Sequence, residues 1–273
     1  GGRRRRDRER RGLNPTPSLM TMADRIVSDG LSLAAHVARP PGRPSGPPPA
    51  VVLCHGYPSA RTAAAAPATM PELADRIAGE MGWAALAFAY RGCGTSDGQF
   101  SLEGWLDDIA AAVAHVEATV RPLGIWLAGF GTGGALAVCA AAANPSIHGV
   151  AALGAPGDFD DWAGHPRRLL EHGREVGVIT DRAFPPSLDA WSRQFKTIRA
   201  VACVGQYAPR PLLVVHGSED EVVPSFDARV LADAHGSAEL RFIVGAGHGL
   251  RHDPRTVAVL LGWLDRQRHA LHR

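Results

Sequence analysis

Four short stretches hold the residue types that could do chemistry. His55-Gly56-Tyr57-Pro58 offers an imidazole and a phenol. Gly129-Phe130-Gly131-Thr132-Gly133 is a glycine-rich turn. His216-Gly217-Ser218-Glu219-Asp220 sets an imidazole beside carboxylates, and Gly245-Ala246-Gly247-His248 puts an imidazole on a glycine-rich loop. Imidazoles exchange protons near neutral pH, and glycine-rich turns aim backbone N–H groups at negative charge. Taken singly the signals are weak: Asp220 reads as a turn aspartate after a strand, and His248 as one exposed histidine among 12. Gly129, Gly131 and Gly134 also fit a loose G-x-G-x-x-G dinucleotide pattern, but that reading leaves Asp220 and His248 unexplained. No group of residues has metal-ligand spacing, and no cofactor is implied. Cys54, Cys93, Cys139 and Cys203 contain no C-x-x-C pair. They read as reduced thiols of a cytoplasmic protein rather than as a disulfide framework.

The elements that must position these stretches follow from periodicity. Asp29-Gly30 is a turn signal inside a hairpin over 25–37, and a Pro/Gly-rich connector fills 40–49. Short apolar runs predict strands at 50–54, 83–89, 124–128, 149–153 and 211–215, and a further strand is expected at 239–244. Helical spacing falls between them. Leu73, Ile77 and Met81 share one face over 70–81, and Leu102, Leu106, Ile109, Val113 and Val116 form a stripe over 102–120. A small-residue helix is expected at 135–143, and further helices at 225–234 and 254–269. Strands alternating with helices predict an α/β fold with a mostly parallel central sheet flanked by helices, plus antiparallel strands from the hairpin at one edge. The alternation lapses over about 155–209, where Phe159, Trp162, His165, His172, Phe184, Trp191 and Phe195 mix with charges. That segment reads as a helical cap inserted over one end of the sheet. Ligands of parallel sheets bind beyond the C-terminal strand ends, where the four stretches lie.

From about Ile26 onward the sequence resembles the α/β-hydrolase superfamily, most nearly its bacterial esterase, dienelactone-hydrolase and serine-peptidase-like members. The resemblance rests on the strand-His55-Gly56 opening, the Arg91-Gly92-Cys93-Gly94-Thr95-Ser96 loop, the glycine-rich turn, and the order turn, Asp220, His248. That family carries a nucleophile in a G-x-S-x-G turn, followed along the chain by an acid and a histidine. The resemblance implies that His248 is the general base and that Asp220 orients it, with Glu219 and Glu221 as alternatives for the acid. It also implies a pocket formed with His55, Gly56, Tyr57 and Thr132, the backbone N–H groups of Tyr57 and Thr132 being the oxyanion donors. His252 lies near His248 but at the wrong offset.

The central position of the turn is Gly131, where the family has serine. Glycine cannot attack a carbonyl, and Thr132 is the residue whose N–H, not hydroxyl, the family uses. Two functions follow. One is a hydrolase for a small ester, thioester, amide or lactone, in which His248 activates water. The other is a catalytically inactive binder of a small ligand or partner that keeps the pocket.

Composition bounds the remaining questions. Apolar residues make up 45% of the 273 residues and charged residues 21%, an ordinary globular balance. Residues 1–19 hold seven arginines against Asp7 and Glu9, a net of +5, so the rest of the chain carries −3. This run reads as a solvated basic tail or as upstream translation preceding a hydrolase domain over 20–273. Lys196 is the only lysine, and Ala, Arg, Gly and Pro abound, a bias of GC-rich bacterial genomes. No apolar run reaches the ~20 residues of a membrane span, and the N-terminal charge is followed by no apolar leader core. A small molecule is the expected partner, with neither nucleic acid nor membrane; the oligomeric state is open.

Overall fold

The computed structural model describes residues 24–42, 46–58 and 70–271. In chain order the elements are β1 (Asp24–Ser28), β2 (Leu31–Ala38), β3 (Ala50–Cys54), α1 (Met70–Met81), β4 (Ala84–Phe88), α2 (Leu102–Val120), β5 (Ile125–Phe130), α3 (Thr132–Ala143) and β6 (Ile147–Leu153). Four helices then run without a strand: α4 (Asp160–Gly164), α5 (Pro166–Val176), α6 (Leu188–Thr197) and α7 (Ala200–Tyr207). The chain closes with β7 (Leu212–Gly217), α8 (Ser225–His235), β8 (Glu239–Ile243) and α9 (Pro254–Ala270). The basic stretch 1–19 lies outside the described residues.

One eight-stranded sheet has the order β1-β2-β4-β3-β5-β6-β7-β8. The β1–β2 and β2–β4 pairings are antiparallel and all others are parallel. The central strands are buried along their whole length, as parallel strands covered on both faces must be. That is why their sequences are continuous apolar runs. On one face Met70, Ile77, Leu260 and Trp263 of α1 and α9 pack over the sheet. On the other, α2, α3, α7 and α8 cover it, with Ile109, Val138, Val204 and Leu231 in the core.

Several element ends differ from the expected ones, each for a physical reason. Helix α3 begins at Thr132 rather than at 135, because the small residues after Gly131 turn directly into helix without a spacer. Strand β5 runs through Gly129 and Phe130, paired with β6 up to Leu153, and β7 takes in His216 and Gly217, paired with Phe242 and Ile243 of β8. A strand therefore continues beyond its apolar run wherever the next strand supplies ladder partners. Ser101 caps α2 by accepting from the Gly104 N–H, and Asp253 caps α9 by accepting from the Arg255 and Thr256 N–H groups. Met81 and Leu106, assigned to apolar stripes, are only partly buried.

Candidate active site

The glycine-rich turn sits between the end of β5 and the start of α3. Gly131 has φ 52° and ψ −126°, a conformation that L side chains adopt only under strain. The Gly131 N–H donates to the Leu153 carbonyl at 2.8 Å, tying the turn to β6. Close approach also demands a missing side chain at Gly133: a Cβ there would stand 2.3 Å from the His55 carbonyl oxygen and 2.5 Å from that of Cys54. The end of β3 and the first turn of α3 are thereby in direct backbone contact. The N-terminus of α3, with N–H groups that have no intrahelical acceptor, faces the same region.

Asp220 follows β7 in a tight loop. Its side chain is fully buried, and its Oδ1 accepts from the N–H groups of Val222 and Val223, each at 2.9 Å. Its Oδ2 lies 2.9 Å from Nδ1 of His248. An ionised carboxylate only accepts, so Nδ1 is the donor and Nε2 of the neutral ring is an acceptor. That Nε2 faces the turn: a Cβ built on Gly131 would lie 3.4 Å from it. The Asp220 and His248 loops are stapled together, since the Glu219 N–H donates to the Ala246 carbonyl at 2.9 Å and the Gly245 N–H to the Ser218 hydroxyl at 2.8 Å. Glu219, Glu221 and His252 are exposed.

The structure thus brings Gly131, Thr132, Gly56, Asp220 and His248 to one place, where Gly56 packs against the Phe130 carbonyl and the Gly131 α-carbon. His55, read as a pocket residue, is placed differently. Its ring is fully buried, Nδ1–H donates to the Gly56 carbonyl at 2.8 Å, and Nε2 accepts from the Tyr90 N–H at 3.2 Å. Burial lowers its pKa to about 4. His55 braces the loop from beneath because β3 ends with its side chain turned toward Tyr90 and Trp105.

A cavity of about 630 Å³ opens over the turn, lined by Tyr57, Thr132, Phe159, Trp162, His172 and His248 among others. Tyr57 packs edge-on against Phe100 and Trp162 at 4.8 and 5.2 Å between ring centres. Burial raises the pKa of its phenol, and its hydroxyl has no hydrogen-bond partner among the described residues. The opposite wall is Val222, Val223 and Pro224. Four carboxylates also line the cavity: Asp158, Asp160, Asp161 and Asp227. Arg199 bridges Asp158 at 2.8 Å and Asp160 at 2.5 Å, and Asp227 accepts from the Gly157 N–H at 3.0 Å. Sequence reasoning named Phe159, Trp162 and His172 but missed the 222–224 wall and Asp227, whose signal was only their nearness to Asp220. No group of three or more potential metal ligands is found among the described residues, nor a helix long and apolar enough to cross a membrane.

This arrangement of sheet, turn and loops matches a known family. The chain belongs to the alpha/beta hydrolase family, which matches residues 51–260. It is 30% identical over 152 residues to the uncharacterized protein YfhR of Salmonella typhimurium, a match covering 53% of this chain and 47% of that protein. The match therefore spans about half the length of that curated relative. Among solved structures, Est1E from Butyrivibrio proteoclasticus with ferulic acid bound is similar at TM-score 0.66 and 23% identity, covering 91% of this chain and 99% of that one. The alpha/beta hydrolase GrgF from Penicillium sp. sh18 is similar at TM-score 0.70 and 19% identity, over 92% and 98% of the two chains. These identities carry the fold alone.

Proposed function

We propose that the protein hydrolyses a small ester, thioester, amide or lactone by direct attack of water, with His248 as general base, Asp220 as its orienting acid, and Gly131 where a serine would stand. The observation that carries this reading is the Nε2 of His248, held by a buried carboxylate and aimed at the Gly131 turn. A water oxygen within about 3 Å of Nε2 meets the geometric requirement for proton removal. Unbonded to residue 131, it stands further from that α-carbon than a serine hydroxyl would, and so nearer the cavity. Nε2 takes one proton as the oxygen adds to the carbonyl carbon, and Asp220 stabilises the imidazolium. The Tyr57 and Thr132 N–H groups are assigned to the tetrahedral oxyanion. The imidazolium then returns its proton to the departing oxygen, sulfur or nitrogen as the bond breaks. No covalent enzyme intermediate forms.

General-base help is worth about 10²–10⁴-fold, so a modest turnover is expected. The test is hydrolysis of p-nitrophenyl acetate, with an aromatic acyl ester beside it because Est1E was solved with ferulic acid. His248→Ala is expected to lower kcat/KM by about 10²-fold or more. Equal rates in the two proteins overturn the reading. Gly131 itself favours a second function, a ligand-binding protein without turnover; its mark is saturable quenching of Trp162 fluorescence by a ligand that is recovered intact.

A further inference from the structure

A second imidazole stands behind Asp220, and the mechanism above does not use it. His216, the fifth residue of β7, has a fully buried side chain. Its Nε2 lies 2.9 Å from the Val223 carbonyl oxygen and 3.5 Å from Oδ2 of Asp220, the same oxygen that holds His248. A carbonyl only accepts, so Nε2 carries the hydrogen and Nδ1 of the neutral ring is bare. That buried Nδ1 has no hydrogen-bond partner among the described residues. Val223 meanwhile donates its own N–H to Oδ1 of Asp220. The contacts form a relay: His216 donates to the Val223 carbonyl, and the Val223 N–H, with that of Val222, donates to Oδ1 of Asp220, while Oδ2 lies 3.5 Å from the His216 ring without a hydrogen bond to it. By holding the Val223 carbonyl, His216 holds the loop whose N–H groups grip Oδ1, which limits the rotation of the carboxylate about its Cβ–Cγ bond and so presents Oδ2 to His248.

We infer that His216 is a positioning residue, a neutral Nε2–H imidazole that sets the orientation of the Asp220 carboxylate, and through it the ring of His248. A position with only packing to do would be better filled by an apolar side chain, because a buried acceptor without a partner is destabilising. The Phe242 ring, 6.4 Å away on β8, supplies that packing partner. Asp220 is the charged group that meets the ring. The inference deepens the reading of His248 as a base, but it is tested without turnover.

The experiment is nitrogen-15 and proton NMR on protein labelled at histidine. In the unsubstituted protein His216 is expected as the Nε2–H tautomer, and His248 is expected to show a low-field Nδ1 proton that Asp220→Asn abolishes. In His216→Leu that low-field resonance moves upfield or disappears while the melting transition is retained. In His216→Gln, whose amide N–H can reach the Val223 carbonyl, it is kept. A His248 resonance unchanged in His216→Leu overturns the inference. So does an Nδ1–H tautomer of His216 in the unsubstituted protein, a measurement that stands even where the leucine variant does not fold. Failure of hydrolysis with these NMR results intact counts against the proposed function and leaves the positioning role standing.

Discussion

Glycine at residue 131 suits a backbone that would strain any other residue, and on the proposed reading it leaves the turn without a hydroxyl. The backbone there, φ 52° and ψ −126°, costs a residue with a side chain about 1–3 kcal/mol. Sterically the position would accept one: a Cβ would meet His248 Nε2 at 3.4 Å and Cε1 at 3.7 Å, ordinary contact distances. Gly131→Ser is therefore expected to fold and to lower stability by about 1–3 kcal/mol in urea unfolding. It would also place a hydroxyl beside a basic Nε2, so a fluorophosphonate probe is expected to label Gly131→Ser and not the unsubstituted protein. Adding His248→Ala to the serine variant should remove the labelling. An unchanged or raised unfolding midpoint would show that the turn is unstrained, and an unlabelled serine variant would show that Nε2 does not serve this position.

Strands and helices fix the site through a few backbone approaches. The contact of α3 with the end of β3 depends on Gly133, where a Cβ would intrude on two carbonyl oxygens. Gly133→Ala must push the helix and the 55–57 loop apart. It is expected to destabilise by about 1–3 kcal/mol, as overpacking does, and, on the proposed function, to reduce kcat for ester hydrolysis while leaving the His248–Asp220 hydrogen bond intact. Gly164→Ala, where a Cβ meets nothing within 4 Å, is the control and should stay within about 0.5 kcal/mol. Urea unfolding and initial rates on the two variants check this; equal behaviour would mean that the approach of β3 to α3 is unimportant. Much of this framework was legible in the sequence because parallel strands buried on both faces are written as apolar runs such as Val51-Val52-Leu53. The order of turn, Asp220 and His248 was legible through the resemblance to a family and because each follows a strand, although β8, ahead of His248, reads Glu239-Leu240-Arg241-Phe242-Ile243 and is only partly buried. The direction of the His55 ring was not, because a strand-end residue can face either the core or the cavity, and only the acceptors at Gly56 and donor at Tyr90 decide it. Nor was the role of His216, whose partners Val223 and Asp220 become neighbours only when the loop closes.

Across the whole molecule, the sheet supplies a floor and the α4–α6 helices a roof, joined by aromatic packing among Tyr57, Phe100 and Trp162 and by the Arg199 bridge to Asp158 and Asp160. Stability of the floor is coupled to pH through His55, which lies wholly inside it. Burial, reinforced by the charge of Arg251, holds its pKa at about 4 in the folded protein, against about 6.5 in an unfolded chain. Above pH 6.5 the imidazole is neutral in both states, and its contribution to stability is complete. As pH falls from 6.5 to 4 the unfolded chain binds a proton that the folded protein refuses, so stability is lost through that window. Below pH 4 both states are protonated and the loss levels off. The linkage amounts to about 3 kcal/mol. Urea midpoints at pH 8, 6, 5 and 4 are expected to fall accordingly. His55→Gln, which does not titrate there, should start from a lower midpoint at pH 8, having lost the paired bonds to Gly56 and Tyr90, and then decline less steeply. His235 and His252, whose pKa values are also lowered by burial, remain in both proteins, so the difference between the two curves isolates His55. Parallel curves from pH 8 to pH 4 would mean that His55 titrates alike in the folded and unfolded chains and does not brace the loop as a buried neutral ring.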